Sequence, residues 1–400
     1  MVQVFIRIIK GYSVKNHIDM LIFHTAICAG ESQIATDGRR ELDVLVATPS
    51  LRSGMGINMY RFLKKEATTS INGVFIMIVF ISHLRTYMQL VPWLEHVMAG
   101  FSQLMVAMFL FYSGFGVMES IHNKGMDYVK RIPVHRVLHV LAMLFPVVLI
   151  YALLDLILGI PFTMPQFFLS FIAWLNLGNS NWYIFVIVCL YLITWLAWIC
   201  ANAIMKSRTT QSEVSRDRLG LVFTLILSAG LIFVLRIYTP DYYYNTISAY
   251  LFGMLFSQSK DSILRICGFD KAGKLAGSVG IVKYISATVL MLGVTLGLRI
   301  YIQHDWRASL FLLMTVFFCM FIVLISHLIP FPDKVFHWLG AHLFETYILM
   351  RIPMIAFLRV PGWEQGGLWY ALCCLVITIV LAWGYHAVIT GVIGRVKKAY

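Results

Sequence analysis

Long apolar runs separated by short connections dominate this sequence and constrain its fold more than any other feature. An α-helix needs about 20 mostly apolar residues to cross a bilayer. Scanning on that basis predicts about ten spans, at approximately 68–86, 97–118, 137–159, 182–204, 220–238, 245–257, 284–303, 308–330, 339–359 and 368–394. Hydrophobic residues form 60% of the chain and charged residues 13%, against roughly 25% charged in a soluble domain. We therefore predict an all-α, polytopic membrane helix bundle.

Basic residues alternate from one connection to the next. Lys and Arg occur before the first span, after the second, fourth and sixth, and in the C-terminal tail, whereas 160–181 and 239–244 contain none. Because Lys and Arg collect in cytoplasmic loops, both termini are predicted to be cytoplasmic. The net charge of +13 has the same explanation, so we expect no nucleic-acid partner.

Residues 1–57 contain no spanning run, and we interpret them as an N-terminal extension of doubtful significance that precedes the membrane domain, 58–400. The apolar stretch 167–175 is too short to cross and is expected at the interface or as a re-entrant segment. The seven cysteines lack the spacing of metal ligands or of a disulfide framework, so neither is expected. With short connections on both faces, any chemistry is expected in the membrane-embedded part.

His83 is the first candidate for chemistry, because polar groups at membrane depth are costly and often functional. It follows Ser70 by thirteen residues, about 20 Å along a helix, which places it towards the outer half of the bilayer. A neutral imidazole there can take a proton from a hydroxyl group. The alternative is an interfacial histidine at a helix end.

A second set of candidates lies where the second span ends and a basic loop follows. Cations at a cytoplasmic helix end can hold the phosphates of a nucleotide-containing donor. The alternatives are a solvated positive-inside loop and, for the small residues, close helix packing. The candidates are Tyr112, Ser113, Lys130, Arg131 and Arg136.

These residues, in this order and spacing, resemble the membrane acyltransferase family 3, bacterial proteins that O-acylate cell-envelope sugars. The motifs are Ser70-Ile71-Asn72-Gly73 before an apolar helix ending in His83, then Phe111-Tyr112-Ser113-Gly114-Phe115, then Lys130-Arg131 with Arg136. Asn181-Trp182-Tyr183-Ile184 is similar to the family's tryptophan-rich start of the following helix. Trp338-Leu339-Gly340 with Glu345-Thr346-Tyr347 resembles its late motif. The resemblance covers roughly residues 66–394.

The resemblance implies a ten-helix enzyme of the bacterial inner membrane that transfers an acyl group, most often acetyl, from cytoplasmic acyl-CoA to a hydroxyl of an envelope or exported glycan. Acyl-CoA would be a co-substrate, with no bound cofactor, and His83 the general base. The family places an arginine eleven positions before that histidine, where this chain has Asn72. Trp182, Tyr183 and Tyr243 are expected at the acceptor, although aromatic belts also occur at membrane interfaces.

Other ionisable residues within predicted spans are open to two interpretations. Asp155, Glu345 and Arg351 are expected either in a polar cavity or in structural ion pairs. His327 and His386 are interpreted as packing histidines. There are two functional alternatives to an acyltransferase. One is a transporter or exporter of glycan precursors, and the other is a family member without catalysis. The missing arginine keeps both alternatives open. A transporter would show repeated halves, and no such repeat is seen.

Overall fold

The computed structural model describes residues 60–206, 213–304, 308–329, 334–360, 362–363 and 367–399. Over these ranges the chain is helical, and the extension 1–57 lies outside them. The α-helices are α1 (Lys65–Leu84), α2 (Pro92–Ile132), α3 (His139–Leu158), α4 (Met164–Ser170), α5 (Trp182–Lys206), α6 (Glu213–Tyr238), α7 (Ile247–Ile266), α8 (Gly277–His304), α9 (Ala308–Leu328), α10 (Lys334–Ala341), α11 (Leu343–Leu349), α12 (Arg351–Phe357) and α13 (Leu368–Ala399).

The all-α prediction is confirmed, and seven helical segments of the described chain are long and apolar enough to cross a membrane. They are Lys65–Leu84, Phe101–Leu158, Trp182–Lys206, Glu213–Tyr238, Gly277–Ile302, Ser309–Leu328 and Leu368–Gly391. The second of them, 58 residues long, covers most of both the second and the third predicted spans. Its helix is interrupted at Gly125, whose φ of 58° and ψ of −146° are not helical. The count of ten spans and the cytoplasmic termini stay predictions.

Two predicted spans differ from the structure. The helix at the sixth predicted span extends beyond the predicted apolar run, 245–257, because α7 continues through charged residues to Ile266. The ninth run, 339–359, is not one continuous helix, since it is divided into α10, α11 and α12 with breaks at His342 and Met350. Pro353 explains the second break, because proline has no N–H to donate to the carbonyl of Leu349.

Glycines bring pairs of helices into backbone contact. A Cβ on Gly73 of α1 would lie 1.9 Å from the Phe336 carbonyl oxygen of α10, and one on Gly340 would lie 1.8 Å from the Thr69 carbonyl oxygen. Gly114 of α2 meets the backbone of α7 in the same way, so close packing explains this small residue of the second motif. The α1–α10 crossing fixes the helices that line the site described below.

Buried charge also joins α2 to α7. Glu119 Oε1 accepts hydrogen bonds from Lys260 Nζ and Ser257 Oγ, both at 2.6 Å, and all three side chains are largely inaccessible to solvent. In contrast, α3, α6, α8 and α13 present exposed apolar side chains on their outer faces, such as Leu156, Phe233, Val289 and Val376. Such faces suit contact with lipid tails.

Candidate functional site

A cavity of about 330 Å³ lies at the C-terminal end of α1, and we call it the His83 cavity. Its lining is mostly polar and aromatic and is drawn from α1, α2, α5, α11, α12 and the connections before α5 and α7. His83 and Arg351 line it together with the amides of Gln103, Asn176, Asn179 and Asn181, the hydroxyls of Ser82, Thr86, Ser102 and Ser180, and the rings of Trp182, Tyr242, Tyr243 and Tyr347. The structure thus brings four of the predicted residues, His83, Trp182, Tyr243 and Arg351, to one place.

Arg351 supplies the positive charge of this cavity. Its Nε donates a hydrogen bond to the Tyr87 hydroxyl at 2.7 Å, and its guanidinium carbon lies 5.3 Å from the centre of the Tyr87 ring. Burial raises the pKa of the Tyr87 phenol, so this partner stays neutral. The guanidinium is close enough to His83 to act on it electrostatically. His83 therefore lies beside a fixed cation in the lining of this cavity.

Aromatic rings form one wall of the His83 cavity. The Trp182 ring centre lies 5.8 Å from that of Tyr242 and 6.4 Å from that of Tyr243, and the two tyrosine centres are 5.2 Å apart. Burial raises the pKa of both phenols, so they remain neutral hydrogen-bonding groups. Rings combined with amides are the usual means of binding a sugar, which presents apolar faces and hydroxyl edges.

Three of the amides that line the cavity come from the connection between α4 and α5. The Asn181 amide donates to the Leu175 carbonyl at 2.9 Å, the Leu177 N–H donates to Asn179 Oδ1 at 3.1 Å, and the Asn179 amide donates to Asn181 Oδ1. Sequence reasoning placed the neighbouring 167–175 at the interface or in a re-entrant segment but assigned these asparagines no role. The connection holds its own amides in place around the cavity.

A second cavity, of about 1,110 Å³, lies at the other end of α1, and we call it the basic cavity. Its cations are Arg61, Lys64, Lys274 and Lys334, and Glu66 is the single carboxylate among the described residues of its lining. His327, His337 and the apolar side chains Phe62, Leu275, Ile329 and Trp338 complete much of the wall. The lining combines cations with apolar side chains, which suits an amphipathic anion.

The same helix connects the two cavities without their sharing any lining residue. Ser70 lines the basic cavity, and His83 lies thirteen residues, or about 20 Å, further along α1. Between them, Ile71, Phe75 and Ile76 are at most 6% exposed. The helices α10 to α12 follow the same course, since Trp338 faces the basic cavity and Arg351 faces the His83 cavity.

Asn72 occupies the stretch of α1 between the cavities. Eleven residues are close to three helical turns, so Asn72 and His83 share one face of α1. The Asn72 Oδ1 is buried and has no hydrogen-bond partner among the described residues. Asn72 is in the lining of neither cavity.

Glu345 lines neither cavity and belongs to a cluster that reaches the basic cavity only through Trp338. Its Oε1 lies 2.8 Å from His386 Nδ1, and the carboxylate is almost fully buried. The His386 ring contacts the His342 ring at 4.7 Å, and His342 stacks on Trp338 at 4.2 Å. Glu345 and Arg351 thus do not line one cavity, and His386 has a buried acidic partner as well as its packing contacts. Asp155 is buried on α3 and lines neither cavity.

The predicted phosphate-binding cations are not brought together. Lys130 is exposed with Asp127 at 3.9 Å, and Arg131 is also exposed. Arg136, in a short π-helical segment (Pro133–Leu138), turns inward, where its Nε donates to the Tyr128 hydroxyl at 3.1 Å. None of these cations lines either cavity.

The other motif residues divide between the two ends of the bundle. Tyr112 lies beside Ser326, which lines the basic cavity, whereas Ser113 faces Tyr183. Tyr183 is buried behind the His83 cavity, where its ring contacts Trp182 and Tyr347 at 6.3 and 5.7 Å.

The basic cavity was not anticipated from the sequence, whereas a polar cavity was one of the two predicted locations of Arg351. The available signals were the cations before the first and ninth spans and after the sixth, but nothing local shows which connections meet. No family model matches this chain, and no curated protein or solved structure matches it either.

Proposed function

We propose that this protein is a membrane O-acyltransferase that uses acyl-CoA, with acetyl the expected acyl group, to acylate a hydroxyl of a cell-envelope or exported glycan. The observation that carries the proposal is the position of His83 in a cavity of amides and rings, at the opposite end of α1 from a large basic cavity. One end suits a sugar and the other a phosphate-bearing donor. The motif resemblance is consistent with this division.

The basic cavity is the better candidate for the donor's phosphates than the loop cations. Arg61, Lys64, Lys274 and Lys334 converge on one space, whereas Lys130 and Arg131 point outward and Arg136 is held by tyrosines. Charge-assisted hydrogen bonds from Lys and Arg are the strongest that a phosphate can receive from side chains. With the termini cytoplasmic, this end faces the cytoplasm, where acyl-CoA is available.

In the proposed reaction the acceptor hydroxyl binds beside His83, whose neutral imidazole takes its proton as the oxygen attacks the thioester carbonyl carbon. The new C–O bond forms, the C–S bond breaks, and the sulfur leaves with the proton that His83 returns. The products are an O-acyl glycan and free coenzyme A. The described residues show no Ser or Cys next to a base in a triad arrangement, which favours direct transfer. The donor's arm must then reach along α1 from one cavity to the other.

The test is the mass of envelope glycans from cells that make the protein, cells that lack it, and cells with His83→Gln. His122→Gln is the matched control, because His122 is exposed on α2 and contacts Gln258, away from both cavities. Loss of a general base lowers such rates by about 10²–10⁴-fold. We expect one acyl mass increment that disappears in the deletion and in His83→Gln but persists in His122→Gln.

An exporter of glycan precursors is the second candidate, and the interrupted helix α10–α12 favours it. Transporters often build their sites from discontinuous helices, and here such a helix contributes to both cavities. The same measurement separates the two functions. Glycans that fall in amount but keep the same acylation in the deletion would support export and refute acyl transfer.

A further inference from the structure

Among the described residues that line the His83 cavity there is one cation and no anion. Arg351 is the only Lys or Arg of this set, which includes no Asp or Glu. The guanidinium uses Nε for the Tyr87 hydroxyl, and no carboxylate of the described residues forms an ion pair with it. By contrast, the part-buried Arg85 and Lys260 are paired with Glu95 at 2.7 Å and Glu119 at 2.6 Å. Arg351 therefore holds a positive charge and its terminal N–H donors beside an open space.

This charge opposes the reaction proposed for His83. A histidine that accepts a proton becomes a cation, and like charges close together disfavour that state. With a neutral acceptor the cavity would hold two positive charges and no negative one during transfer. A negative group bound to Arg351 would offset the guanidinium and remove this obstacle.

We propose that the acceptor is an acidic sugar whose carboxylate binds the guanidinium of Arg351 while its ring stacks against Trp182 and Tyr243. A guanidinium matches a carboxylate through two parallel N–H···O hydrogen bonds, which fixes orientation as well as affinity. The cavity, at about 330 Å³, is at the small end of ligand pockets and so suits one sugar unit rather than a long segment. The role as acceptor depends on the proposed acyl transfer, whereas the binding of an acidic sugar does not.

The test measures binding of small sugars to the purified full-length chain in detergent by ligand-observed NMR. The probes are methyl β-glucuronide, methyl β-glucoside and glucose 6-phosphate, each at low and high salt. We expect the glucuronide to bind at least about tenfold more tightly than the glucoside, because hydrogen bonds between charged groups are the stronger class. Arg351→Gln should reduce the glucuronide to the affinity of the glucoside. Arg85→Gln, outside the cavity, should keep the preference.

Equal binding of glucuronide and glucoside, or a preference that survives Arg351→Gln, would overturn the proposal. Tighter binding of glucose 6-phosphate than of glucuronide would overturn the choice of a carboxylate. If Arg351→Gln does not fold, as judged by its thermal unfolding, Arg351→Lys takes its place: it keeps the charge but not the planar fork, and we expect a reduced preference.

Acyl transfer from acetyl-CoA, assayed on the same preparations, separates this proposal from the proposed function. Equal acylation of neutral and acidic sugars would refute the acidic acceptor and leave acyl transfer intact. Glucuronide binding that depends on Arg351 without any acyl transfer would refute the enzyme and leave the recognition intact.

Discussion

The contact between α1 and α10 depends on glycine, and Gly73→Ala tests it directly. The added Cβ would lie 1.9 Å from the Phe336 carbonyl oxygen and 2.7 Å from its carbon. Ordinary van der Waals contact begins at 3.4 Å, so the two helices would have to separate by about 1.5 Å (3.4 minus 1.9). Both contacting atoms are backbone atoms, so no side chain can rotate to make room.

The expected loss follows from two opposing effects. Overpacking of a well-packed interior costs up to about 3 kcal/mol, and a rigid backbone contact belongs at the upper end of that range. Alanine is preferred to glycine inside a helix by up to about 1 kcal/mol. We therefore expect Gly73→Ala to lower the free energy of unfolding by about 2 kcal/mol. Gly116→Ala is the matched control, because no atom lies within 4 Å of the Cβ position there, and it should be neutral or slightly stabilising.

The buried thiols of the protein provide the assay. Cys189, Cys319 and Cys374 are free, at most 8% exposed and on different helices, so a thiol-reactive fluorophore reports unfolding as detergent-solubilised protein is heated. The midpoint temperature of unfolding should be lower for Gly73→Ala than for the unsubstituted protein, and it should not be lower for Gly116→Ala. Equal midpoints for the two variants would refute the inference that α1 and α10 are in backbone contact.

Three further predictions concern other buried groups. Lys260→Met leaves the Glu119 carboxylate buried without its partner, so we expect the free energy of unfolding in a denaturant titration to fall by about 3 kcal/mol. Adding Glu119→Met should restore most of this loss. Purely additive effects of the two substitutions would contradict the ion pair. Asn72→Leu removes an unpartnered buried oxygen and should raise stability by about 1 kcal/mol, whereas a loss of stability would mean that the amide is satisfied. Burial, together with Asp261, raises the pKa of Tyr60 to about 12. Because the folded-state pKa lies above the unfolded value, its contribution to stability is complete below about pH 10 and is lost as the pH rises to about 12. Tyr60→Phe should flatten the dependence of the free energy of unfolding on pH between about pH 10 and 12. An unchanged pH dependence in this variant would contradict the raised pKa of Tyr60.

Hydrophobicity and length were enough to predict most of the helices, because a bilayer imposes both on any segment that crosses it. The first run, 68–86, corresponds to Lys65–Leu84, and the fourth, 182–204, to Trp182–Lys206. The ninth run shows the limit of that reasoning. Its composition is that of a span, and only Pro353 indicates that the helix is broken there.

The residues of the candidate site also fall into those that the sequence predicted and those that it did not. His83, Trp182 and Tyr243 were identified because their residue types are unusual or informative where they stand, and the structure brings them into one cavity. Lys274 and Lys334 carried no such signal, since lysines are expected in any cytoplasmic connection. Their convergence is a property of helix packing between distant parts of the chain, which a single sequence does not reveal.

The buried apolar side chains of α1 between the cavities have a consequence for ion permeation. Ile71, Phe75 and Ile76 offer no ligands to replace the water shell of an ion, so a hydrated ion or proton passing along them would meet a high desolvation barrier. This apolar packing therefore keeps the two cavities from forming one continuous path for ions along α1.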